Sequence, residues 1–267
     1  MKLQIVPARQ GIVWFQQGVR TFIKQPLAFT GLFFMFMAAV SLISLVPVIG
    51  LPIALALLPA ATLGLMAATE IADRGQFPMP QVLIAGFRAG RARLQSMLVL
   101  GGLYAAGFIL VMGISATIDG GQFAKVYLLG GEITPEVVLQ GDFQSAALVA
   151  MLLYIPLSLL FWHAPALVHW HGVTPIKSLF FSGVACLRNF WAFTVYGMVW
   201  MGAFLGTATV AAMVVTALGN LELINAILFP VGLAMAAMFF TSFYFTYRDC
   251  FEAPDSAAPP NGSVNAE

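Results

Sequence analysis

Residues 25–69 read QPLAFTGLFFMFMAAVSLISLVPVIGLPIALALLPAATLGLMAAT, and no Lys, Arg, Asp or Glu occurs in these 45 positions between Lys24 and Glu70. One helix needs roughly 20 residues to cross the hydrocarbon of a bilayer, so the stretch holds two crossings. The break falls at Pro47-Val48-Ile49-Gly50-Leu51-Pro52, where proline and glycine signal a turn. The rest of the chain has the same character: of 267 residues, 60% are hydrophobic and 9% charged. A soluble domain carries about 25% charged residues. Twelve basic and eleven acidic side chains are too few to form a charged shell around a core of this size, so lipid must solvate most of the surface.

Working outward, the charge-free gaps place six spans at about 27–46, 51–70, 94–118, 143–167, 190–218 and 223–247. Each is apolar on every face and longer than a barrel strand, which would alternate apolar and polar residues over about ten positions. The fold class is therefore all-α and polytopic, with one transmembrane domain over 1–252. The tail at 253–267 is small, polar and Pro-rich and reads as a disordered cytoplasmic extension. Arg9, Arg20 and Lys24 interrupt the first apolar stretch, and no small-residue cleavage site follows it, so it is not read as a signal peptide.

Eleven of the twelve basic residues fall on one side of these spans, with Lys125 alone on the other. The positive-inside rule makes the eleven-residue side cytoplasmic, with both termini there. The other side carries two tight turns and one acidic loop over 119–142, with Asp119, Glu132, Glu136 and Asp142. Both Cys186 and Cys250 then sit near the reducing compartment, where free thiols are the default.

A repeat runs through the chain. A short segment with helical amphipathic spacing precedes each odd-numbered span: Ile12, Phe15, Val19, Phe22 and Ile23 in the first, Val82, Gly86, Phe87 and Gly90 within 79–93, and Ile176, Leu179, Phe180, Gly183, Val184 and Leu187 in the third. Each apolar stripe is expected to face the membrane interface, with basic residues toward headgroups. Each even-numbered span carries proline: Pro59, then Pro156 and Pro165, then Pro230. The fold is thus three hairpins, each led by an interfacial helix on the cytoplasmic side.

Motifs for chemistry are lacking. No P-loop, Gly-x-Ser-x-Gly or His-Glu-x-x-His occurs, and no catalytic residue, metal site or cofactor is expected. The three histidines, His163, His169 and His171, form a polar cluster at the cytoplasmic end of span four. His163 and His171 are eight apart and share a helix face, whereas His169 and His171 point apart. A metal would want ligands three or four apart with a carboxylate nearby, so the cluster reads as interfacial residues beside Trp162 and Trp170. No charge lies at mid-membrane, which counts against a pump or charge relay. Glu70 and Arg74 are spaced to pair at the end of span two.

The chain resembles a proteobacterial family of six-helix inner-membrane proteins, with a looser likeness to the YciC-type proteins. The resemblance rests on Trp14 with Lys24-Gln25-Pro26, the Pro47-Val48-Ile49-Gly50 turn, Arg74-Gly75, the Ser182 to Asn189 segment and Tyr247-Arg248-Asp249-Cys250-Phe251. It implies a bacterial inner-membrane location and brings no substrate. Three functions stay open: an accessory, scaffold or lipid-handling protein, a small-solute or lipid transporter, and an intramembrane enzyme. The first is favoured, so the chain is read as no enzyme. The expected partners are membrane lipids and a membrane protein complex, and not nucleic acid. The orientation is open to direct test: a reporter active only outside the cytoplasm should be active when fused within 120–140 and silent after Phe251, and the reverse pattern contradicts it.

Overall fold

A computed structural model of the chain describes residues 2–131, 134–218 and 223–251. Among these residues the regular structure is helical, apart from a lone antiparallel bridge between Leu3 and Phe251. Six helices are long and apolar enough to cross a membrane, which makes the protein an all-α polytopic membrane protein. The tail at 253–267 lies outside the described residues, as do Glu132 and Glu222.

The first unit is α1 (Gln10–Lys24), α2 (Pro26–Ser44) and α3 (Gly50–Asp73). A single non-helical residue, Gln25, turns α1 into α2, and Pro26 supplies a first-turn residue whose missing N–H is no loss there. At the opposite end Gly50 N–H donates to Val46 O at 2.9 Å, and Val48 takes φ 67 at the tip of the Pro47–Pro52 turn. The third unit repeats the pattern: α10 (Pro175–Arg188), the single corner residue Asn189, α11 (Phe190–Leu218) and α12 (Leu223–Cys250).

The second unit differs. The amphipathic segment expected over 79–93 is a 3-10 turn at Pro80–Ile84, then one helical turn, α4 (Ala85–Arg88), and then the start of α5 (Arg91–Asp119). Gly90, at φ 96, reverses the chain where a continuous helix would have run. On the far side lie α6 (Gln122–Leu129) and α7 (Pro135–Val138), the latter capped by Thr134. The fourth crossing is two helices, α8 (Gly141–Phe161) and α9 (Ala164–His171). Pro59, Pro156 and Pro230 lie inside α3, α8 and α12 without ending them, so only Pro165 coincides with a break.

α3 is the central helix, packed against α2, α5 and α12, with Leu63, Met66 and Ala68 fully enclosed. Of the expected apolar stripes, Ile12 and Ile23 of α1 and Ile176, Phe180 and Leu187 of α10 are exposed on the outside of the bundle, whereas Phe22 turns inward onto Phe29 and Gly183 is buried. Their opposite faces are built of small residues and lie on the bundle. Gly11 of α1 sits against the backbone of Ala192 and Tyr196 in α11, and Gly18 sits on Ser242 of α12. Trp14, between them, is fully buried.

The face that carries the termini is held by one carboxylate. Asp249, at the end of α12, accepts from Gln10 Nε2 at 2.7 Å, Trp14 Nε1 at 3.0 Å and Arg248 Nε at 3.0 Å. Arg248 also reaches Asp73 of α3 at 3.2 Å, so α1, α3 and α12 meet in a single polar lock. Glu70 and Arg74 pair at 2.6 Å, as their spacing predicts. A Cβ on Gly18 would stand 2.5 Å from Ser242 Cβ. Gly18→Leu should therefore pry α1 from α12 and destabilise the protein by about 1–3 kcal/mol, read as a lowered midpoint of thermal unfolding in detergent.

Candidate functional site

Two places within the bundle bring polar groups together with a helix interruption or with internal space. The first is the break between α8 and α9. Pro165 lacks an N–H, and its ring crowds the carbonyl four residues back, so the helix cannot run through smoothly. Ser182 of α10 enters the opening: its Oγ donates to Leu159 O at 2.8 Å and accepts from His163 N–H at 2.9 Å. These two backbone groups would bond each other in an unbroken helix, so one hydroxyl splices the interrupted ladder.

The structure places His163 at this splice with no solvent exposure. Thr246 of α12 gives its hydroxyl proton to Phe243 O at 2.8 Å, leaving its lone pairs for Trp162 Nε1 at 3.1 Å and His163 Nε2 at 3.2 Å. That network assigns the His163 proton to Nε2 and leaves Nδ1 as an acceptor facing the Cys186 thiol at 3.9 Å. His171 does not join it by hydrogen bonding: both rings flank Tyr247, His163 at 6.4 Å and His171 at 6.1 Å. His169 leans on Trp170. Among the described residues no three of His, Cys, Asp and Glu converge in a way that could hold a metal.

A thiol beside an imidazole has the atoms of a nucleophile and base, but its surroundings oppose that chemistry. Burial, and then the neighbouring Cys250 thiol, push the Cys186 thiol well above its ordinary range. Cys250 is held in turn by Asn189, which anchors the N-terminal segment by accepting from Val6 N–H at 2.8 Å and donating to Gln4 O at 3.1 Å. The break and its histidine thus form a buried, hydrogen-bonded joint between α8, α9, α10 and α12.

The second place is a cavity of about 480 Å³ among α2, α3, α5, α8 and α12. Its floor is Trp162 stacked on Phe243 at 4.3 Å, and α2 contributes Phe36, Met37 and Val40. Among the described residues no charged side chain lines it. Its polar groups are hydroxyls: Thr62 and Ser158, each bonded to a carbonyl of its own helix, and the pair Tyr104 and Tyr154, whose oxygens are 3.3 Å apart. At 1.5 Å of rise per residue Thr62 and Tyr104 fall near the middle of α3 and α5, and Tyr154 and Ser158 near the middle of the fourth crossing, Gly141–His171, at mid-membrane depth. The volume lies within the roughly 300–1,000 Å³ of small-molecule sites, and an apolar wall with few polar groups is their usual character.

Sequence reasoning finds none of this second site. Tyr104 and Tyr154 are 50 positions apart, and nothing in either local stretch marks them as partners. Pro59 lines the cavity and is the nearest thing to a signal, as an even-span proline.

Fold and cavity together define a six-span α-helical membrane protein with a half-open apolar cavity between its helices. A protein of Burkholderia thailandensis described as a probable inner membrane protein is 43% identical over 268 aligned positions, covering 98% of this chain and 99% of the relative. The chain belongs to the same family of inner membrane proteins. No protein-family model matches the chain, and no solved structure matches it.

The joint at His163 predicts a specific sensitivity. Ser182→Ala leaves His163 N–H and Leu159 O facing each other without a bridge, at a cost of about 1–3 kcal/mol. A maleimide should label Cys186 slowly in the folded protein at neutral pH, because the thiol stays protonated and enclosed, and faster in Ser182→Ala. Mass spectrometry of the labelled peptide reads both.

Proposed function

We propose that this protein is a non-catalytic, lipid-handling component of the bacterial inner membrane, holding hydrocarbon in the chamber between α2, α3, α5, α8 and α12. The observation that carries the reading is the chamber itself: about 480 Å³, walled by aromatic and aliphatic side chains, without charge, at mid-membrane depth. Water gains little there, since a few hydroxyls already bonded within the protein offer it poor partners. A lipid chain gains van der Waals contact with every wall. Its partners in this reading are membrane lipids and, through the lipid-facing stripes of α1 and α10, a membrane protein complex. Nucleic acid has no basic patch of the needed density to meet. The termini lie on the cytoplasmic side, which the distribution of basic residues supports.

A transporter is the second reading, and one observation favours it: the fourth span is broken at mid-chain beside prolines, a device that transporters use at their sites. Weighing against it, the freed backbone groups at this break are taken up by Ser182, so they are not offered to a solute. A likeness to the YciC-type proteins would fit either reading.

The test is extraction in mild detergent followed by native mass spectrometry. Wild type should carry lipid in stoichiometric amount. Ser158→Trp, which fills the chamber from α8, should lower that occupancy about tenfold, the equivalent of about 1.4 kcal/mol. A lipid-free wild-type particle, with flux across proteoliposomes, would favour the transporter.

A further inference from the structure

Within α1, Phe15, Val19 and Ile23 recur every four positions, and Gln16, Arg20 and Lys24 do the same one position further on. On a helix that spacing makes two adjoining rows, one apolar and one ending in two cations. A shallow groove of about 490 Å³ runs along these six residues. Phe15 meets Trp200 of α11 edge-on at 4.8 Å, which ties the apolar row to the bundle. Phe15 and Val19 are half-buried, whereas Gln16, Arg20, Ile23 and Lys24 are exposed.

The depth of the groove follows from α12. Gln10 lies beside Asp249 and Gly18 sits on Ser242, so α1 packs along the final turns of α12. Asp249, Arg248 and Asp73 mark the edge of the hydrocarbon there, because charge is costly any deeper. α1 therefore lies in the interfacial layer, where headgroup phosphates meet acyl chains. Among the described residues no acid lines the groove and neither Arg20 nor Lys24 forms an ion pair. The carboxylates of that face are engaged elsewhere: Glu70 by Arg74, and Asp73 and Asp249 by Arg248.

We propose that this groove is a binding site for an anionic phospholipid, separate from the chamber. The phosphate sits between the Arg20 guanidinium and the Lys24 ammonium, and one acyl chain lies along Phe15, Val19 and Ile23. Arginine offers a planar fork to two phosphate oxygens, and lysine adds a point charge beside it. A zwitterionic headgroup brings an ammonium of its own next to these cations, so the site selects for net negative charge. A protein segment would have to carry an acid into the headgroup layer. A phospholipid already holds its phosphate at that depth and its chain just below.

The test places the full chain in nanodiscs of phosphatidylethanolamine with a trace of photoactivatable phosphatidylglycerol, its diazirine in one acyl chain. A matched phosphatidylethanolamine probe serves as the comparison, and peptide mass spectrometry maps the adducts after illumination. The site predicts adducts on residues 15–23, with a yield from the anionic probe at least about fivefold above the zwitterionic one. Arg20→Gln and Lys24→Gln should each lower the anionic yield there about fivefold, the worth of one basic residue at an anionic headgroup. Both side chains are exposed, so these variants keep the fold. Lys177→Gln, which removes an exposed cation of α10, should leave the yield unchanged. Equal yields from the two probes, an equal fall in Lys177→Gln, or no adduct on α1 would each overturn the site. Lipid in the chamber labels α2, α8 and α12 instead, so the two readings stand or fall separately.

Discussion

Hydrocarbon offers a backbone N–H or C=O no partner, and that single constraint organises this molecule. Helices satisfy it by default. The informative places are those where a helix is interrupted, because each demands a substitute from elsewhere in the chain. Leu159 and His163 find theirs in Ser182, a residue of the third amphipathic helix. Thr246 then closes the remaining valence around Trp162 and His163. The break in the fourth span, the position of α10 and the register of α12 are therefore one problem with one solution.

Close approach does the rest. Hydrophobic contact alone does not drive helices together in lipid, whose tails are as apolar as leucine, so packing rests on surfaces that let backbones meet. Gly11 and Gly18 bring α1 onto α11 and α12 within reach of the Asp249 carboxylate. The amphipathic helices are thus two-sided, with an apolar stripe for lipid and a face of small and polar residues for the bundle. Where helices do not close up, between α2 and α8, space remains, and it is walled by the aromatic side chains of α12 and α2.

The sequence made the architecture legible for a physical reason: charge is so costly in hydrocarbon that gaps such as 25–69 delimit the crossings by themselves. The amphipathic helices were legible through Ile12, Ile23, Phe180 and Leu187, whose spacing marks the lipid face. Their other face was not, since Gly11, Gly18 and Ser182 read locally as weak helix formers and acquire meaning only against α11, α12 and the broken α8. Proline was an ambiguous sign: Pro59, Pro156 and Pro230 sit within helices, and only Pro165 meets a break. Glycine hid a difference between repeats: Gly90 turns the chain between α4 and α5, so the segment expected as one helix over 79–93 is a 3-10 turn, one helical turn and the start of α5. The histidines drew attention through rarity, yet His163 turns inward to Thr246 while His169 and His171 do not share its hydrogen bonds. The chamber was invisible because its walls come from five helices, and an aromatic facing a void has the same sequence signature as one facing a neighbour.

The bundle is tied at the face of its termini by Asp249 and Asn189, spliced at His163, and carries at mid-depth the half-open apolar cavity on which the proposed lipid reading rests. The most direct test is a high-resolution map of the protein in lipid nanodiscs. The account predicts elongated density against Trp162, Phe243 and Tyr154 in the cavity between α2 and α8. A chamber filled with ordered water, or one closed by collapse of α2 onto α8, would contradict it.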